Sequence, residues 1–421
     1  MKIFKHFAIT LLAIIGLLVL TILLSVTVFK KELVNYLSKS NQEQIRTYYV
    51  ADIPVEPENF AEDFKSIHSQ VVEYCSLYKQ KGYDIDSIYS TFASRIGSSV
   101  MTKADYGMML YEYFAKLNIG HASPLLNLYA AEYHPTIVED RVFIDNPNEL
   151  LINCGFCDKD EIITINNTPI EQYINNRKKY ISASTEDYRL RRTQLGVFTS
   201  HTDSVITCNV RRGEDMLTLS LPLICSPQND TPQAYSKTIN GNVGYICIES
   251  MMNNVVENFK QAYEQVKDLP YLIIDVRLNG GGNSGNGRLI AEYLVHNPQK
   301  HCVGGDITPQ PNAYKGKLFL LTSNYTFSAA ESFTIDLKES GNAILVGEAT
   351  AGDTGCRPEN FVSKYGIWFR IPTREPHFSP KGFPMEGVGV EPHHKVKQTV
   401  EDFLNDKDTT IEYLLNELVN N

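Results

Sequence analysis

The sequence has few cysteines, no basic stripe, no internal repeat and no low-complexity tract, and each absence closes a route. Eight cysteines are spread over 421 residues, too sparse for a disulfide scaffold, which concentrates them in a short chain. Cys154 and Cys157 form a lone C-x-x-C pair. No second ligand pair stands at the spacing a structural zinc site needs. The pair leads into Asp158-Lys159-Asp160-Glu161 and a strand-like run rather than opening a helix, so it reads as small residues near a core and not as a redox motif. Lys and Arg number 39 against 49 Asp and Glu, a formal charge of −10. Nucleic acid is therefore excluded as a partner, because phosphate binding needs clustered cations. The acidity reads as a solubility device. Apolar residues at 43% and charged residues at 21% leave room for sizeable cores in two or three domains.

One apolar run is long. Residues 7–29 carry no charge, follow Lys2 and Lys5, and are closed by Lys30-Lys31. About 23 residues suffice to cross a bilayer as a helix. The run is longer than the roughly 7–15 residues of a cleavable signal and shows no A-x-A site. It predicts an uncleaved anchor, N-terminus in, with residues 31–421 on the extracytoplasmic (periplasmic or extracellular) side.

The rest of the chain divides by pattern. Residues 31–130 read mainly as helix, with apolar spacing over 105–117 and Gly120 as a stop. His121 follows at once. Residues 131–230 turn to short β-type runs at 141–144, 161–165, 204–208 and 217–221, with Asn166-Asn167 as a turn. The stretch from Gly155 through Asp160-Glu161 and a strand to Ile165-Asn166-Asn167 resembles a PDZ domain, which binds peptide ends by adding a strand to a sheet edge. Residues 226–236 read as a linker. Residues 231–421 alternate strands and helices, the signature of an α/β core, with strands expected at 242–249, 271–278, 317–322, 344–348 and 367–371.

Two places in this core could carry chemistry. Ser328-Ala329-Ala330-Glu331 is a capping box opening a helix that stops near Gly341. A serine there also sits beside free backbone N–H groups and the positive end of the helix dipole, where an oxyanion is stabilised. Asp275-Val276-Arg277-Leu278-Asn279-Gly280-Gly281-Gly282 puts a glycine turn after a buried-type strand. Gly280 to Gly285 fits G-x-G-x-x-G, with Asp306 further on, so a dinucleotide loop, an oxyanion-binding turn and a plain tight turn all remain open on local sequence.

Taken together these pieces resemble the C-terminal processing (tail-specific) serine peptidases. The resemblance rests on Asp275, Arg277, Asn279 and Gly281-Gly282, then Ser328-Ala329-Ala330-Glu331, then Val346-Gly347-Glu348-Ala349-Thr350-Ala351-Gly352, then Glu386-Gly387-Val388-Gly389-Val390-Glu391-Pro392. It covers residues 240–400, and the PDZ-like insert extends it. The processing peptidases pair serine with a lysine after the Val-Gly-Glu segment, but Asp353 stands there. The chain instead resembles the tricorn-core and retinoid-binding-protein-like branch, which uses a histidine from before the PDZ region and a glutamate from the closing motif. The resemblance implies Ser328 as nucleophile, His121 as base, Glu386 as the carboxylate that orients the imidazole, and the N–H groups of Gly282 or Gly281 and of Ala329 as the oxyanion hole. Tricorn's serine before the histidine is replaced by Gly120. The implied architecture is α/β: a ββα-type, crotonase-like peptidase core with an N-terminal helical region and an inserted PDZ-like β domain, preceded by one transmembrane helix. The implied activity is hydrolysis of peptide bonds in proteins or peptides, with no cofactor and no metal. A silent peptide-binding protein of the same fold is the alternative.

Overall fold

The computed structural model describes residues 48–75, 77–98, 100–131, 133–225, 233–354, 357–375 and 377–419. The apolar run at 7–29 lies outside them. Among the described residues no helix is long and apolar enough to cross a membrane.

The N-terminal region is built on three helices, α1 (Phe60–Tyr74), α2 (Ile85–Ser98) and α3 (Lys103–Lys116). Their apolar faces bury Phe64, Ile67, Tyr106, Leu110, Tyr113 and Phe114 in one cluster. Each such side chain contributes about 1.5–3 kcal/mol by leaving water. Thr102 and Asp105 close α3's first turn as a capping box. At its far end Asn118 takes a φ of 50° and turns the chain back, which aims residues 119–123 inward.

The middle region is a β domain. Its sheet runs in the order Asp215–Pro222, Val205–Arg212, Glu161–Ile165, Arg141–Phe143, Thr136–Val138, all antiparallel. Asn166 and Asn167, at φ 48° and 61°, make the expected turn, since asparagine tolerates the left-handed conformation that a tight hairpin requires. The helix α4 (Glu186–Leu195) was not expected. Its Glu-Asp-Tyr-Arg-Leu-Arg-Arg-Thr-Gln-Leu sequence is too polar to show an apolar stripe. It forms because Thr185 caps the Tyr188 N–H and because it is clamped between regions.

The core is a six-stranded sheet: β1 (Ala234–Ile239), β2 (Val243–Ile248), β3 (Tyr271–Asp275), β4 (Lys317–Thr322), β5 (Ala343–Gly347) and β6 (His394–Lys395), in that spatial order. All neighbours are parallel except β1–β2. Parallel strands buried on both faces read as continuous apolar runs, as Leu318-Phe319-Leu320-Leu321 does. Helices α5 (Val255–Val266), α6 (Ser284–Ala291) and α7 (Ala329–Ser340) cover one face. The C-terminal residues Leu414 and Leu415 cover the other.

One expected core strand belongs elsewhere. Trp368–Pro372 pairs with Ser123–Pro124 and Pro358–Val362, and Ile367, Phe369 and Ile371 bury against the N-terminal helices. Its β pattern was legible, but which sheet it joins depends on contacts more than two hundred residues away.

Candidate active site

The nucleophile candidate sits where β4 hands over to α7. Ser328 has φ 56° and ψ −117°, the first central position of a type II′ turn, which favours glycine. Such strain persists only where the surroundings impose it. Here they do. Glu331, fully buried, accepts from the Ser328 N–H at 3.2 Å, the Thr350 hydroxyl at 2.6 Å, the Gly352 N–H at 2.6 Å and the Asp353 N–H at 2.9 Å. Burial pushes its carboxyl up to about 7 despite these donors. The capping glutamate thus ties the nucleophile's turn to the loop at 350–353.

His121 reaches this turn from the other end of the molecule. Its Nε2 lies 2.9 Å from Ser328 Oγ. The ring stacks on Phe327 at 4.7 Å between centroids, and Phe327 stacks on Tyr188 at 4.7 Å. Burial pulls the imidazole down to about 4, with Arg370 and Arg192 pulling the same way and Asp353 opposing. A neutral imidazole facing a serine hydroxyl is a base ready to take its proton.

The expected carboxylate, Glu386, makes no hydrogen bond to His121. Its Oε1 accepts from Ser184 Oγ at 2.6 Å and pairs with Lys81 at 3.0 Å, while Oε2 is buried without a partner. Asp353 lies between. Its Oδ1 accepts from the Gly120 N–H at 2.9 Å and stands 2.5 Å from Ser184 Oγ, and Oδ2 accepts from the Ser184 N–H at 3.1 Å. Ser184 Oγ therefore faces two carboxylates but has one proton. Lys81 Nζ also donates to Ser184 Oγ, at 2.9 Å. Burial, reinforced by the Asp353 charge, lifts the Glu386 carboxyl to about 7, with Lys81 and Ser184 opposing. The closing motif sets the two acids side by side: Gly387 N–H donates to Gly352 O at 2.7 Å, and Val390 N–H to Thr350 Oγ1 at 2.8 Å.

This network explains both departures from the family pattern. A Cβ at Gly120 would overlap the Asp353 carboxylate, so a side chain before His121 would displace the acid from the position it holds here. The acid takes the place of the lysine, and the glycine makes room for it.

The glycine turn packs on the nucleophile. A Cβ at Gly281 would come within 2.7 Å of Phe327 O and 2.8 Å of Ser328 Cβ, at φ +95°. Asn279 shapes the turn by donating to Ile248 O at 3.0 Å and accepting the Gly281 N–H at 2.9 Å. That bond removes Gly281 from the expected oxyanion donors. Gly282, which is exposed, and Ala329, at the helix start where N–H groups lack intrahelical partners, are left. The dinucleotide reading of this loop fails on the same geometry: Met251 fills the space beside Gly282, and Asp306 forms an exposed ion pair with Lys300. Asp275 and Arg277 brace the turn from below. Asp275 accepts from Tyr245 at 2.8 Å, and Arg277 bridges it to Asp408 at 2.7 Å.

Sequence reasoning missed Lys81, Ser184 and the role of Asp353, because each acts only through tertiary neighbours. Cys154 and Cys157 are both free thiols. Among the described residues the grouping with metal-ligand types is His301, Cys302 and Asp336. His301 Nδ1 lies 2.6 Å from Asp336 and Cys302 Sγ is on Ser332 O, while His301 Nε2 is buried without a partner.

A buried imidazole at hydrogen-bond distance from a strained serine at a helix N-terminus, beside a glycine turn, is an arrangement that can support hydrolysis by a serine nucleophile. The profile of peptidase family S41 matches residues 242–396, and that of the Bacteroidetes S41 peptidase N-terminal domain matches residues 137–223. The two S41 profiles together match more than half of the chain, which belongs to peptidase family S41. It is 29% identical over 195 residues to the tricorn protease of Thermoplasma acidophilum and 27% identical over 176 residues to a tricorn protease homolog of Saccharolobus solfataricus. These matches cover 42% and 41% of this chain but only 17% and 16% of those proteins, so the chain spans about a sixth of the length of its curated relatives. The solved structure of mature CPAF complexed with lactacystin matches at a TM-score of 0.69 with 14% identity, over 85% of this chain and 97% of that one. That is a likeness of fold.

Proposed function

We propose that the chain is an extracytoplasmic serine endopeptidase that cuts proteins or peptides through an acyl-enzyme, with Ser328 as nucleophile and His121 as base. The observation that carries this reading is the 2.9 Å contact between His121 Nε2 and Ser328 Oγ. His121 takes the hydroxyl proton as Oγ bonds to the scissile carbonyl carbon. The oxyanion that forms is met by the N–H groups of Gly282 and Ala329. The imidazolium then gives its proton to the leaving amine as the C–N bond breaks, and water releases the acyl group by the reverse sequence. Asp353 and Glu386 stabilise the imidazolium as a pair: Asp353 through its charge beside His121, Glu386 as a positioning residue acting through Ser184 and Asp353. The middle β domain serves as the PDZ-like module, with the sheet edge at Asp215–Pro222 available for a peptide strand. The run at 7–29 serves as the membrane anchor that places the peptidase outside the cytoplasm.

The test is a fluorophosphonate probe on the full chain in detergent, with the labelled residue mapped by mass spectrometry. Labelling at Ser328 that is lost in both Ser328→Ala and His121→Ala is the expected result. A folded chain that takes no label at Ser328 is instead a silent peptide-binding protein of the same fold.

A further inference from the structure

Among the described residues, two arginines beside the candidate site form no ion pair with a carboxylate. Helix α4 carries three arginines. Arg189 pairs with Glu186 at 2.9 Å, and Arg191 reaches Glu348 at 3.2 Å and Asn324 at 2.7 Å. Arg192 meets no carboxylate; its hydrogen bond runs to the Ser182 carbonyl at 3.2 Å. Arg370, in the strand Trp368–Pro372, likewise meets only the Ser123 hydroxyl, at 3.2 Å from Nε. Both are half-buried.

The two side chains bracket the segment that carries His121. Ser123 stands two residues after His121 and opposite Arg370 in strand register. Ser182, which holds Arg192, donates its hydroxyl to Ile119 O at 2.6 Å, two residues before His121. Arg192 lies one helical turn beyond Tyr188, which stacks on Phe327 next to the nucleophile. Each guanidinium disfavours a proton on His121, and Arg192 does the same to Arg370.

Among the described residues no carboxylate pairs with either of them. Asp353 and Glu386 are committed to Gly120, Ser184 and Lys81. The tyrosines that face the pair, Tyr111 and Tyr188, are held neutral by burial, and Tyr111 donates to Leu126 O at 2.8 Å. Two like charges kept together away from bulk water are unfavourable unless an anion completes the arrangement. Guanidinium forks match carboxylate oxygens in geometry as well as charge.

We propose that Arg192 and Arg370 form a carboxylate-binding subsite that selects peptides with a carboxylate within a residue or two of the bond to be cut. The proposal rests on the peptidase reading above and names the substrate class of that site. An acidic side chain and a chain-terminal carboxylate offer the same chemistry, so the assay separates them.

Full-length protein is incubated with a mixture of defined peptides of balanced composition, prepared once with free and once with amidated C-termini, and the cleaved bonds are read by mass spectrometry. The expected result is a preference for Asp or Glu over Asn or Gln beside the cleaved bond of about 10- to 100-fold, the range for a charge-assisted hydrogen bond. It is expected to persist in the amidated set. Cleavage that instead needs a free C-terminus assigns the carboxylate to the chain end. In either case the preference collapses in the Arg192→Gln/Arg370→Gln double variant while Ser328 still takes the fluorophosphonate label. Ser328→Ala protein, immobilised and exposed to the same mixtures, gives a turnover-independent readout: the retained peptides are enriched in the same carboxylates, and lose that enrichment in the double-arginine background. No carboxylate preference in either readout, or a preference that survives both substitutions, overturns the subsite. Failure of the peptidase reading is seen separately, as Ser328 left unlabelled and no bond cut.

Discussion

Replacing Glu331 with glutamine tests whether the capping glutamate holds the nucleophile in place. Its two oxygens accept four donors between them: Thr350 Oγ1 and Gly352 N–H on one, Ser328 N–H and Asp353 N–H on the other. A glutamine side chain has one accepting oxygen, and its amide nitrogen only donates. Either orientation keeps one pair of donors and sets the other against N–H groups. A buried donor left without a partner costs about 1–3 kcal/mol, so the two lost bonds cost about 4 kcal/mol together. Removing the charge offsets little, because the carboxyl already titrates at about 7. The expected outcome for Glu331→Gln is therefore a loss of about 4 kcal/mol in urea unfolding followed by circular dichroism. Fluorophosphonate labelling of Ser328 is expected to slow by about tenfold or more, since a shift worth 1.4 kcal/mol in barrier is tenfold in rate. A variant within about 1 kcal/mol of the parent that labels at the parental rate would refute the reasoning.

His121 is expected to stay neutral down to about pH 4, so selectively labelled imidazole nitrogens followed by NMR should show no titration between pH 5 and 8; a midpoint near the ordinary 6.5 would contradict the burial argument. Because the folded value lies below the unfolded one, this group's contribution to stability is complete above pH 6.5 and is lost as pH falls toward 4. Ser328→Gly should exceed Ser328→Ala in stability by about 1 kcal/mol, because only glycine occupies φ 56°, ψ −117° without strain; equal unfolding midpoints would show the turn to be relaxed.

The sequence made the core's strands legible because parallel, doubly buried β segments are continuous apolar runs, and it made Ser328, His121 and the glycine turn legible because their motifs are local. It could not show that Trp368–Pro372 pairs with Ser123–Pro124, since a five-residue β pattern carries no address. Nor could it show that Asp353 stands between Glu386 and His121. Asp353 signalled only that a lysine was missing. Its carboxylate occupies the space that a side chain at Gly120 would need, a contact between positions 233 residues apart. Ser184 and Lys81 lie in segments whose local patterns are those of a helix cap and a solvated helix end, so no single-sequence signal distinguishes them. Helix α4 was hidden for a related reason: its polar sequence shows no apolar stripe, and Arg191 reaches Glu348, 157 residues away.

The hydrogen bond between His121 and Ser328 joins residues 207 positions apart, and the acid that leans on them through Ser184 arrives only at residue 386. During synthesis the base is made first, the serine much later, and the last supporting segment near the end. A chain still emerging from the ribosome therefore carries a serine no more reactive than any other. In the proposed mechanism the support for His121 is complete only once the Glu386 segment has packed beside the loop at 350–353. In the proposed peptidase the order of the segments along the chain is a safety interlock: a truncation from the C-terminal side that removes Glu386 keeps Ser328 and His121 and loses the segment that supports them.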